Sequence, residues 1–155
     1  MKHLLFLCCF LLIAGNSFSQ SKPKQAIKQA VPELQKLLTG SLLPFEMIND
    51  SLAVIPYEGE NIASYKVIVQ RINDLFIVFT NLTEALPGKI DETKYKYLLQ
   101  QNDNYDIVKT GISSSDGTCY LRADVYKAGI NTVLLKRLIQ QVANVTNIIA
   151  GDLNK

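Results

Sequence analysis

The sequence predicts an α+β domain, an antiparallel sheet with helices packed on one face in the order α-β-β-β-α-β-β-α. Three observations predict it. Apolar residues recur at three- and four-residue spacing over residues 26–38 and again over 135–142, whereas the period shortens to two over 45–80 and 105–125. Two short turns, Asn73-Asp74 and Asp116-Gly117, each join neighbouring period-two runs into a hairpin.

The N-terminus reads as an export signal spanning residues 1–19. Lys2 is the only Lys or Arg before position 22, and Leu4 to Ala14 is an unbroken apolar run. That run is shorter than the roughly 20 residues a helix needs to cross a bilayer. Ser17 and Ser19 supply the small residues a signal peptidase requires, which places cleavage after Ser19. Cys8 and Cys9 lie inside the apolar run and follow Leu7, so no lipobox is present. The expected location is the periplasm or the extracellular medium, with no transmembrane segment in the mature chain.

Cleavage removes the single histidine and two of the three cysteines, leaving Cys119. A lone cysteine makes no internal disulfide, so packing must hold the fold, and the remaining chain is long enough for one core. Fifteen basic side chains then balance fourteen acidic ones with no like-charge block, which argues against a nucleic-acid partner.

Residues 20–25 are polar, with one proline, and read as a flexible lead to a single domain over 26–155. The first helical stripe is Ala26, Ile27, Ala30, Val31, Leu34, Leu37 and Leu38, with Gly40 as its stop; Pro32 should kink the helix or restart it. Strands follow at Leu52–Ile55, Tyr65–Ile72 and Leu75–Phe79, the last two paired across Asn73-Asp74. Leu86-Pro87-Gly88 is a break. Asp91 caps the next helix, with Ile90 and Tyr95 as a hydrophobic staple, and that helix ends near Asn102. Tyr105–Ile112 and Thr118–Val125 form a second hairpin, and Asn131 caps a final helix whose buried stripe is Leu135, Leu138, Ile139 and Val142.

The Leu75–Phe79 run, the loop and helix from Leu86 to Gln101, the approach Asn102-Asp103-Asn104-Tyr105-Asp106, and Leu121–Val125 before an amphipathic helix together carry a resemblance. Over residues 30–150 the chain resembles the type III secretion chaperone-like superfamily, and within it the YbjN-type proteins grouped as bacterial sensory-transduction regulators. The resemblance implies a small, non-catalytic domain, often dimeric, that holds an extended segment of a partner. Chaperones of that branch are cytoplasmic and acidic, whereas this chain carries an export signal and is nearly neutral.

Chemistry is scarce. Without histidine the mature chain builds neither a Ser-His-Asp nor a Cys-His pair and offers no imidazole to zinc, so no catalytic, cofactor or metal residues are expected. Glu58 and Glu60 read as a solvated loop pair. Asn102–Asp106 lacks the glycine and the distal glutamate of a calcium loop and reads as a helix end. Cys119 shares a face with Leu121, Ala123 and Val125 and should behave as a small hydrophobe. Asp50-Ser51-Leu52 matches the Asp-Ser/Thr-aliphatic pattern of some periplasmic O-glycosylation systems, making Ser51 a candidate acceptor.

The expected function is an exported interaction module that binds a protein partner or itself, as a homodimer, through one sheet face. The surface is expected at Tyr57, Tyr65, Val67, Val69, Phe76, Val78 and Tyr120. The rival is a periplasmic small-ligand domain with an apolar pocket between sheet and helices, rimmed by Tyr57, Tyr65 and Tyr120.

Overall fold

The computed structural model describes residues 31–86 and 90–154. The export signal, the lead and the first half of the 26–38 stripe fall outside the described residues.

Helix α1 spans Glu33–Ser41 and begins directly after Pro32, which stays extended at φ −53° and ψ 144°. The proline therefore starts a helix, and its missing N–H is one that the first turn would leave unbonded in any case. The stop differs from expectation. Gly40 lies within the last turn, and the left-handed residue is Leu42, at φ 60°. A methyl group on Gly40 would stand 3.0 Å from the Thr132 hydroxyl, so this glycine serves the approach to the last helix.

Six strands follow: β1 Glu46–Asn49, β2 Leu52–Tyr57, β3 Tyr65–Ile72, β4 Leu75–Asn81, β5 Lys109–Ile112 and β6 Cys119–Tyr126. They form one antiparallel sheet in the order β1-β2-β3-β4-β6-β5. The β3–β4 hairpin closes with Ile72 opposite Leu75, and Asn73 takes the positive φ of 52° that a two-residue turn demands. Between β4 and β5 lie a single-turn helix, α2 (Leu82–Ala85), and α3 (Glu92–Asn104); α4 runs from Thr132 to Leu153 after a 3-10 turn at Lys127–Gly129. The expected caps are present. Asp91 accepts from the Lys94 N–H at 2.9 Å, and Asn131 accepts from the Leu134 N–H at 2.9 Å.

Relative to the expected order, the sheet gains β1 and the chain gains α2. Four residues of edge strand, Glu-Met-Ile-Asn, are too few to show alternation, and their pairing with β2 shifts register between Met47 and Asn49. α2 forms because Asn81 leaves β4 and caps the next turn, its side chain accepting from the Glu84 N–H.

The core lies between one sheet face and the helices. Ala53, Ile55, Val67, Val69, Phe76, Val78, Leu121 and Ala123 are buried against Leu34 and Leu38 of α1 and Leu135, Ile139, Val142 and Ile149 of α4. Side chains alternate across a strand, so the residues between these point to the opposite face.

Candidate binding face

The register defines that opposite face. One cross-strand row runs Val54, Ile68, Phe79, Arg122, Lys109 from β2 to β5. Beside it run Leu52, Gln70, Ile77, Asp124 and, at the β3–β4 turn, Ile72, Leu75, Tyr126. On the other side Asn81, Tyr120 and Gly111 align. The central members are half-buried, whereas Ile72 is 41% exposed and Tyr126 73%. Apolar side chains at the centre of a six-stranded sheet thus have no helix above them.

A hollow of about 400 Å³ has Ile68, Ile77 and Phe79 among its lining, with Gln70, Asn81, Glu84, Asp116, Tyr120 and Arg122 around them. Its charges are partly committed. Arg122 donates to Asp124 from Nε at 2.9 Å and from the terminal nitrogen at 2.5 Å, and its guanidinium stands 5.9 Å from the centre of the Tyr120 ring. Asp116 is held ionised, its carboxyl drawn below the usual range by hydrogen bonds from Ser113 and then from Thr118.

Of the seven residues expected on a binding surface, only Tyr120 lies here. Val67, Val69, Phe76 and Val78 are fully buried beneath the helices, and Tyr65 is 6% exposed. Tyr57 is half-buried on the same helix-covered face, its ring stacked on Tyr65 with centroids 5.8 Å apart. The Tyr65 hydroxyl donates to the Ala143 carbonyl of α4 at 2.9 Å, and burial first, then the neighbouring Tyr57, pushes its pKa up to about 12. The two tyrosines therefore help seal the sheet to α4; Tyr65 also borders a smaller hollow of about 190 Å³ beside Ser64 and Glu84, which neither Tyr57 nor Tyr120 lines. The larger hollow lies across the sheet from α1 and α4, on the side away from the expected pocket.

The physical reason for the mistaken face is that β3 and β4 are apolar on both sides. Val67 and Val69 alternate with Ile68, and Phe76 and Val78 with Ile77 and Phe79. Alternation selects a face only when one of the two is polar. The usable signal lay in β6, where Tyr120, Arg122 and Asp124 mark the solvent side unambiguously.

The other singled-out residues have structural posts. Asn102 lies in α3, and its side chain pairs with the outer edge of β5, accepting from the Thr110 N–H at 2.7 Å and donating to the Thr110 carbonyl at 3.2 Å. Glu58 and Glu60 are exposed in the β2–β3 loop, which Asn61 pins to Asn147 of α4 through an N–H to Oδ1 bond of 2.9 Å and an Nδ2 to carbonyl bond of 3.0 Å. Cys119 is 1% exposed, and burial pushes its thiol up to about 11. Ser51 sits in the β1–β2 turn, its hydroxyl donating to Asn49 Oδ1 at 3.0 Å. Among the described residues no cluster of His, Cys, Asp and Glu could hold a metal, and no helix is long and apolar enough to cross a membrane.

No protein-family model matches the sequence, and no curated protein matches it. Solved structures do. A chain of the heterodimeric ExoU-SpcU complex from the type III secretion system of Pseudomonas aeruginosa superposes with a TM-score of 0.52 at 16% identity, covering 75% of this chain and 93% of that one. The chain has the type III secretion chaperone-like fold. YbjN from E. coli, with a TM-score of 0.52 at 11% identity over 81% of this chain and 91% of its own, shares it. At such identities the chaperone-like fold is what is held in common, and the side chains on the open face are this chain's own.

Proposed function

We propose that the chain is an exported, non-catalytic interaction module whose open sheet face holds an extended segment of a protein partner. The observation that carries this is the row Val54, Ile68, Phe79, which leaves apolar surface at the middle of a sheet on the side away from α1 and α4. Contiguous apolar surface of this kind, rimmed by polar groups, marks binding sites. The partnership of the two chains in the ExoU-SpcU complex supports a protein ligand. Export rests on the leader sequence, and the mass of the protein recovered from its host tests it. A mass beginning at Gln20 is expected, and a surplus of glycan mass on the peptide carrying Ser51 would identify that serine as modified.

The decisive experiment places a photo-crosslinking side chain at Phe79 on the open face and, separately, at Lys136 on α4. A protein adduct from position 79, lost when Ile68→Asp is added and absent from position 136, is the expected result. Equal adducts from both positions would sink the reading. The volume of the hollow favours one rival, since about 400 Å³ lies within the range of small-ligand sites. Native mass spectrometry separates the two, because a monomer with a discrete added mass identifies a ligand carrier.

A further inference from the structure

The open face is its own complement. Its middle row reads, strand by strand from β1 to β5, Glu46, Val54, Ile68, Phe79, Arg122 and Lys109. An acid stands at one edge of the sheet and a base at the other, with apolar side chains between them. A two-fold axis that lies between two facing sheets, runs along the strands and passes between β3 and β4 reverses this order. It sets β1 over β5 of the second copy, β2 over β6 and β3 over β4. Glu46 then stands opposite Lys109 of the second copy, and Ile68 opposite Phe79. The neighbouring rows agree with the same axis. Lys66 comes opposite Asn81, whose side chain bonds to Glu84 at 2.8 Å, and Pro56 comes onto the Tyr120 ring. Toward the β3–β4 turn, Ile72 meets Leu75.

The other charges on the face fit this arrangement. Arg122 and Asp124 neutralise each other within one chain, so Val54 and Leu52 meet a closed ion pair. Lys109 donates to the Asn102 and Tyr105 carbonyls and keeps a third ammonium hydrogen for Glu46. Asp116 is exposed in the β5–β6 loop, outside these rows. The area sets the strength. Five strand spacings of about 4.8 Å, by three steps of about 6.6 Å from the Asn81 row to the Leu75 row, make a footprint of roughly 500 Å². Two such footprints total about 1,000 Å², the lower bound for a specific interface. The contact is therefore reversible, and a partner can compete with it.

We infer that two copies of the chain pair open face to open face about this axis when no other protein holds the site. This rests on the reading of that face as a binding site and names its occupant in the absence of a partner.

The test uses the chain from Gln20 to Lys155. Sedimentation equilibrium should show dimers at about 100 μM chain, as an interface of this size allows. Phe79→Asp should weaken the pairing about thirtyfold or more, the loss expected of a central apolar anchor, and Val133→Asp on α4 should leave it unchanged. Cysteine pairs test the axis with Phe79 in place. Positions 46 and 109 stand at opposite edges of one sheet, about 24 Å apart and beyond the reach of a disulfide. Glu46→Cys combined with Lys109→Cys should therefore link only between two molecules under mild oxidation, and neither single variant should link. A chain that stays monomeric at that concentration, a dimer untouched by Phe79→Asp, or a missing 46–109 bridge would each overturn the inference. Single-cysteine variants that link as readily as the double variant would overturn it too, by placing like edges together. If a different protein is captured at position 79 by a chain that stays monomeric, the self-pairing fails and the interaction module stands. If the 46–109 dimer forms and position 79 captures nothing except a second copy, the self-pairing stands and the partner reading fails.

Discussion

Tyr120 occupies the space above Gly111, its cross-strand partner: a methyl group on Gly111 would stand 2.5 Å from the Tyr120 hydroxyl oxygen and 2.6 Å from the ring carbon bearing it. In most strands glycine to alanine is favourable, because glycine loses the most backbone freedom on folding. Here Gly111→Ala should destabilise the domain by about 1 kcal/mol or more, because the ring must move. In a Tyr120→Ala background the same change should cost little. Denaturant titrations of the four proteins in this cycle measure the coupling, and an equal cost in both backgrounds would refute the contact.

Phe76 and Phe79 lie three residues apart on β4 and face opposite ways. Phe76 is fully buried, so Phe76→Ala should cost about 3 to 5 kcal/mol. Phe79→Ala, on the open face, should cost about 1 kcal/mol and act on binding instead. Urea midpoints decide this, and similar losses for both would invalidate the assignment of faces.

Asn102 closes the outer edge of β5 with the side-chain amide that a neighbouring strand would otherwise supply as backbone. Asn102→Ala frees the Thr110 N–H and carbonyl, for an expected loss of about 1 to 3 kcal/mol. Hydrogen exchange at Thr110 should quicken, and the exposed edge should make the variant more prone to associate. Unchanged exchange at Thr110 would show that the amide contributes nothing there.

Tyr65 sets an alkaline limit. Its hydroxyl titrates at about 12 in the folded chain against about 10 when unfolded, so the folded state favours the protonated form. The resulting stability is complete below pH 10 and is lost as pH rises from 10 to 12. Denaturant midpoints should fall across that window and fall less in Tyr65→Phe. A wild-type midpoint that is flat from pH 10 to 12 would contradict the shift.

Cys119 should resist thiol reagents in the native protein at pH 8, because it is buried and its pKa is raised to about 11. Labelling in denaturant should be rapid, and equal labelling of the native chain would place the thiol at the surface.

Elements were legible where a local rule has a single outcome. Asp91 and Asn131 cap helices because an exposed helix start needs an acceptor, and Asn73 turns the hairpin because it tolerates a positive φ. Pro32 bounded α1 for a similar reason. Leu42 was not legible as the left-handed stop, because leucine seldom adopts φ 60° and no propensity announces it. The open face was misread because its identity depends on where α4 docks, and that is settled by contacts between residues some 60 to 80 positions apart, such as Tyr65 with Ala143. The Asn102–Thr110 pairing likewise joins two elements whose meeting no motif records.

α4 is the last described element, yet it supplies most of the cover for the inner face of a sheet whose first strand begins at Glu46. While the chain is being synthesised, Ala53, Val69, Phe76 and Val78 have only the short α1 to be buried against until residues 132–153 have followed. Topology thus delays cooperative folding until α4 has been made. Until then those apolar side chains stay exposed, and the unfinished chain is at its most prone to aggregate.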